Sequence, residues 1–396
     1  MARRIGASGD ATFQGMTLRR ATVALLASLQ AACGASTGPR PEARSTPPIV
    51  LPETVITKTA PEELDAKYHQ ASAALLREEF ELAAREFDAI VAVSPEGPTA
   101  GPSLFGAGLA YAGLGDLARA AERLRASAER DPAAPTTKNA WIRVSRMMAY
   151  LERWEELEAA ADTLGRRTDL TVLENLEALG AKALSLVERG RVDEAYTLIV
   201  KARDEIEDKR LGQAGTPPLE LAQIAFTLGE IRKQRSERIV FDPMPADFGA
   251  ALEERCTGLL DAQSAFSDAM RSLDAHWSAM AGFRVGQLYQ NLHRDVMRVP
   301  APSRTTTLRE RQLWEGAMRL RYRVLLEKGL KMMQGTVDLG DRTGESTAWV
   351  ARAKEAKLEI EASLATEREA LSKLPFTEDE LRKALGDLQK KPATKP

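Results

Sequence analysis

From Leu64 to Asp208 apolar residues recur every three or four positions, with charged residues between them. That spacing puts the apolar side chains on one stripe of an α-helix. Short breaks cut the pattern into helix-sized stretches, and four segments then align without gaps around a tight turn. They are "HQASAALLREEFELAAREFDAIVAVSP" from 69, "FGAGLAYAGLGDLARAAERLRASAERDP" from 105, "IRVSRMMAYLERWEELEAAADTLGRR" from 142 and "GAKALSLVERGRVDEAYTLIVKARDEIED" from 180. Glu79, Asp116, Arg153 and Arg191 hold the same place in the turn, at spacings of 37, 37 and 38. Each unit reads as helix, turn, helix. One such unit cannot bury its apolar face alone, so the units must stack.

The stretch "FGAGLAYAGLGD" is open to two readings: a loop cradling a phosphate, or a helix thinned so that another helix comes close. A phosphate loop follows a buried strand. Here "SPEGPTAGPSL" precedes it, with no run of Val or Ile. The small residue at 108 recurs in register as Ala71 and Ala183. The helix reading therefore holds, and Gly108 and Ala120 are expected at the crossing of the two helices.

The units resemble the tetratricopeptide repeat, whose period is 34. The second carries Gly108, Tyr111, Ala120 and Pro132 at its marker places, and the first carries Ala71, Ala83, Phe87 and Pro95. The third carries Trp141, with Ser145 and Leu157 where the family has small residues; the fourth carries Ala183 and Ala195. The surplus residues fall in links such as "EGPTAG". The resemblance implies an all-α fold, a right-handed superhelical stack of antiparallel helix pairs. Its first helices would line a concave face that binds peptides or partner helices. By register that face holds Tyr68, Ser72, Phe105, Leu109, Asn139, Ile142, Arg146, Tyr150, Leu184 and Glu188.

After residue 210 the repeat blurs. Helices are expected at about 217–238, with Thr216 as N-cap, at 246–272, at 308–337 and at 347–374, with "DLGDRTGES" turning the chain between the last two. Thr377 is expected to cap a short tail helix. "SAMAGFRVGQLYQNLHRDVM" restores the repeat signature at Gly286 and Tyr289, which adds Gln287, Gln290 and Asn291 to the concave set. Three to five further hairpins are expected. The organisation is thus a leader (1–33), a linker (34–60), a repeat array (61–210), a degenerate array (211–375) and a tail (376–396).

The leader reads "MTLRRATVALLASLQAACGAST" from Met16. Two arginines, a short apolar run and small residues before Cys33 have the layout of a secretory signal. The run is shorter than the roughly 20 residues a spanning helix needs. It resembles the lipobox of bacterial lipoproteins, although Gln30 stands where that family favours Leu. The resemblance implies cleavage before Cys33, acylation of Cys33 and, with Gly34 following, an outer-membrane anchor facing the periplasm. "GASTGPRPEARSTPPIVLPETVITKTA" would then be the tether.

Composition removes function classes. Lys and Arg number 55 against 57 Asp and Glu, so no whole-protein field draws nucleic acid. His69, His276 and His293 share no metal-ligand spacing, and two cysteines build no disulfide framework. The Cys256 thiol is expected to be a packing residue. No catalytic residue, metal or cofactor, and no small-molecule substrate, is indicated. The expectation is a scaffold bound to other envelope proteins through its concave face and to the membrane through lipid, serving secretion, pilus, gliding-motility or outer-membrane assembly machinery. The alternatives are an enzyme or regulator with an accessory array, and a cytoplasmic repeat protein with a misread start.

Overall fold

A computed structural model of the chain describes residues 61–213, 215–303 and 305–388. The expected leader, Cys33 and the linker lie outside these residues. Among the described residues there are fourteen α-helices and no strand: α1 (Pro61–Leu76), α2 (Phe80–Val93), α3 (Ala100–Gly113), α4 (Leu117–Arg130), α5 (Thr137–Tyr150), α6 (Trp154–Gly165), α7 (Val172–Glu188), α8 (Val192–Asp208), α9 (Ala222–Glu237), α10 (Phe248–Met270), α11 (Ala275–Met297), α12 (Leu308–Thr343), α13 (Ala348–Ser372) and α14 (Glu378–Leu388).

Each helix from α1 to α12 packs on its successor. Odd helices also touch odd helices, α5 on α7, α7 on α9, α9 on α11 and α11 on α13. The result is an α-solenoid of helical hairpins in two layers, with odd helices in one and even helices in the other. Its first four hairpins follow the helix, turn, helix order expected from the sequence.

Turn chemistry sets the repeat. Glu79, Asp116, Arg153 and Arg191 are the N-caps of α2, α4, α6 and α8. The residue before each cap is left-handed: Glu78, Gly115, Glu152 and Gly190, with φ of 59°, 76°, 57° and 81°. Only glycine takes that conformation without strain, which accounts for the second and fourth units. Pro95 and Pro132 lie in the links that follow α2 and α4, where a missing N–H does no harm.

The crossings use the predicted small residues. A Cβ on Gly108 would meet Leu124 Cγ at 2.5 Å and the Ala120 carbonyl oxygen at 3.2 Å. Gly106 and Gly113 make room for Phe87 and Phe80 of the preceding hairpin, so the glycine cluster seats helices on both sides. Ala71, Ala83, Ala120, Ala183 and Ala195 have no exposed surface. Tyr111 is buried and donates to Asp88 at 2.6 Å. Gly286 receives Met333 of α12, and Tyr289 donates to Gln263 at 2.5 Å. Trp141 is half-buried.

The second half corrects several expectations. Thr216 caps nothing. Pro218 is extended, a 3-10 turn covers Leu219–Leu221, and α9 begins at Ala222. The two prolines hold the chain out of the helical region for a few residues. Helix α12 does not stop near Val337 but continues through "DLGDRT", ending where Gly344 turns left-handed at φ 76°. Thr307 and Glu310 start α12 with a capping box. Two further hairpins form, α9–α10 and α11–α12. Helix α14 then packs on α12 rather than on α13, so the minimum of three additional hairpins is not reached. Thr377 does cap α14: its hydroxyl accepts from Glu380 N, and Glu380 accepts from Thr377 N at 2.7 Å.

Candidate partner face and the charges behind it

The predicted face divides into an open part and a filled part. Tyr68 and Ser72 on α1, Phe105 and Leu109 on α3 and Ile142 on α5 are half-buried, and Asn139 is exposed. Helix α3 contains no charged residue, and α5 contains Lys138, Arg143 and Arg146 but no acid. Lys138 is paired with Glu174 at 3.0 Å. Arg143 donates to Asn139 Oδ1 at 2.6 Å, and burial together with Arg146 nearby lowers its pKa. This part combines half-exposed apolar side chains with Arg143, for which no carboxylate partner is seen among the described residues.

From Arg146 onward the odd-helix layer is occupied by its own side chains. Arg146 forms a two-pronged pair with Glu177 of α7, one bond at 2.8 Å, and reaches Glu220 at 3.7 Å. Burial raises the Glu177 pKa, with Arg146 opposing it. Tyr150 stacks on His276 of α11 with ring centroids 3.7 Å apart, and burial drives its phenol pKa far up. Leu184 is fully buried and belongs to the core rather than to any surface, because α7 is covered by α5 and α9 as well as by its own partner. Glu188 pairs with Arg284 at 3.2 Å. Gln287 accepts from Arg284 at 3.1 Å, Gln290 donates to Glu359 at 3.2 Å, and Asn291 donates to Glu237 at 3.0 Å. The predicted face after α5 is therefore largely committed to contacts within the chain.

The centre of this filling is Arg284. Its guanidinium lies 2.5 Å from Glu230 on α9 and 5.0 Å from the ring centre of Trp349, which has no exposed surface. Lys233 stands 3.4 Å from Glu230 and 3.6 Å from Glu237. Arg352 lies over the same Trp349 ring at 4.8 Å. The sequence reading missed Glu230, Arg284, Trp349 and Arg352. Arg284 and Glu230 did carry a signal: each is a lone charge in an apolar window, "SAMAGFRVGQLY" and "AQIAFTLGEI".

Burial and the Glu230 charge push the Glu188 pKa up to about 7. The folded state then holds a proton that the unfolded state has released between about pH 4.5 and 7. Stability from this group is present at low pH and falls as pH rises through that window. Glu188→Gln leaves Arg284 and Lys233 balanced by Glu230 and Glu237. It should raise stability by ~2 kcal/mol at pH 8 and leave it unchanged at pH 4.5. Denaturant titrations at the two pH values check this, and a uniform loss at both would contradict it.

Chemistry elsewhere is muted. A cleft of about 350 Å³ joins Arg255, Arg294 and Arg298 to Glu237, Asp242 and Asp295, so its charges balance. His293 is buried 3.9 Å from Glu367, and burial lowers its pKa. Cys256 is half-buried, and burial raises its thiol pKa, which favours the inert thiol. Among the described residues no group of three or more His, Cys, Asp or Glu side chains is placed to hold a metal ion. No helix among them is long and apolar enough to cross a membrane.

No protein-family profile and no curated protein matches the chain. Solved structures similar to it include two of low identity. A tetratricopeptide repeat protein from Parabacteroides merdae is 11% identical with a TM-score of 0.40, covering 76% of this chain and 99% of that one. A monomeric mutant of IFIT1 with m7Gppp-AAAA is 14% identical with a TM-score of 0.38, covering 82% of this chain and 70% of that one.

Proposed function

We propose that the chain is a protein-binding scaffold, and that its partner docks on the odd-helix face of the first three hairpins. One observation carries this reading: as far as Ile142 that face keeps half-exposed apolar side chains, whereas from Arg146 onward the predicted groove residues are taken up by contacts within the chain. Half-exposed Phe105, Leu109 and Ile142 offer apolar area, and Asn139 offers hydrogen bonds to a partner backbone. A photocrosslinking residue placed at Phe105 or Ile142 should capture a discrete protein in the native cell. The same residue at Glu129, exposed on even helix α4, should not. Equal capture from all three positions would contradict the reading.

The finer proposal is an outer-membrane lipoprotein that organises an envelope complex in the periplasm. It rests on the small residues before Cys33, the arginines ahead of the apolar run and the Pro-rich stretch behind it. Acylation would supply anchoring in proportion to buried methylenes, about 0.8 kcal/mol each. Palmitate labelling of the full chain should be lost in Cys33→Ser. Label that survives the substitution would end the proposal.

A further inference from the structure

We propose that the junction between α12 and α13 is a clasp, closing the odd-helix layer onto the third hairpin and releasing as a unit. Arg352 of α13 bonds Glu152, in the turn after α5, at 2.5 Å across 200 residues of sequence. Glu345, three residues before α13, lies 3.5 Å from His276 Nδ1. Burial would raise the Glu345 pKa, but the contacts with His276 and Thr347 outweigh it and hold the carboxyl low. His276 in turn carries the stacked ring of Tyr150, whose other neighbour is Trp277 at 5.6 Å. A single segment, Glu345–Arg352, thus joins the third hairpin to α11.

The construction of this joint differs from the rest of the stack. Consecutive helices share continuous apolar layers, whereas α13 shares no extended interface with α5 or α6. Beside the joint a cleft of about 590 Å³ remains, lined by Leu114, Arg119, Leu151, Glu152, Thr347 and Ala348 among others. The Arg352 and Glu152 side chains are 41% and 26% exposed, so water and salt reach the pair. A polar pair reached by water opens at lower free energy than a core layer, while the neighbouring His276–Glu345 pair is buried, with side chains 5% and 14% exposed. Opening here would uncover Tyr150, His276 and Trp349, and behind them the Arg284–Glu188–Glu230 cluster. The closed form hides those charges, and the open form offers them to a partner. The clasp therefore governs how much of the odd-helix face is available, beyond the open part on the first three hairpins.

Amide hydrogen exchange of the full chain tests this. Arg352→Glu should speed exchange about tenfold at residues 114–119, 150–152 and 347–350, while α9 and α10 keep their rates. Combining it with Glu152→Arg restores the charge pair in reverse and should return these segments to within about threefold of the parent rates. Three results would overturn the proposal: unchanged exchange in the single variant, acceleration spread equally into α9 and α10, or a double variant that exchanges as fast as the single one.

Discussion

Arg284→Met should cost about 3–5 kcal/mol at pH 8 and roughly half that at pH 5. The side chain is only 14% exposed and stands between two carboxylates of other helices, Glu188 and Glu230. Methionine fills similar volume and preserves contact with Trp349, so the loss isolates charge rather than shape. Without the guanidinium, Lys233 remains the cation 3.4 Å from Glu230. Burial and mutual repulsion already push Glu188 up to about 7, and the substitution raises it further. At pH 5 the Glu188 carboxyl takes a proton and relieves the repulsion; at pH 8 it cannot do so without cost. The penalty therefore grows as pH rises. Urea midpoints at the two pH values measure it, and an equal loss at both would show that the cluster is held by shape alone. Adding Glu188→Gln should recover part of the loss at pH 8.

Gly108→Leu is the second large effect, with an expected loss of about 3 kcal/mol or more. The site has no space even for a methyl group, since a Cβ falls 2.5 Å from Leu124 Cγ and 3.2 Å from the Ala120 backbone oxygen. The leucine can turn aside, but the carbonyl cannot move without shifting α4. Glycine in a helix otherwise costs roughly 1 kcal/mol against alanine, so Gly108→Ala in a looser site would stabilise. Paired with Leu124→Ala, Gly108→Ala should cost less than the sum of the two single changes. Thermal unfolding of the four proteins gives the coupling directly. Strict additivity would mean that α3 and α4 do not cross at this point.

Those two sites also show what sequence can and cannot disclose. Gly108 was legible because its cause is local: turn, crossing and cap recur at one spacing, so four noisy copies reinforce each other. The shared turn place of Glu79, Asp116, Arg153 and Arg191, which the structure makes N-caps, emerged for the same reason. Arg284 was not legible as a partner of Glu188, which lies 96 residues away. A charge on a helix has the same period whether water or another hairpin covers it. The groove set suffered likewise: Tyr150, Leu184 and Glu188 sit at surface register within one hairpin and are covered only by hairpins stacked later. Boundaries after residue 210 failed where single residues decide them, as when Pro217 and Pro218 delay α9 and Gly344 alone ends α12.

Carbodiimide cross-linking of the full chain, read by peptide mapping, tests the stacked order most directly. It joins a lysine to a carboxylate only where they touch. The account predicts amides from Lys138 to Glu174 and from Lys182 to Asp162, pairs 3.0 and 2.6 Å apart on different helices. In Arg352→Lys it predicts a further amide between positions 352 and 152. Bridges confined to neighbours on one helix, such as Lys373 to Glu369, would contradict it.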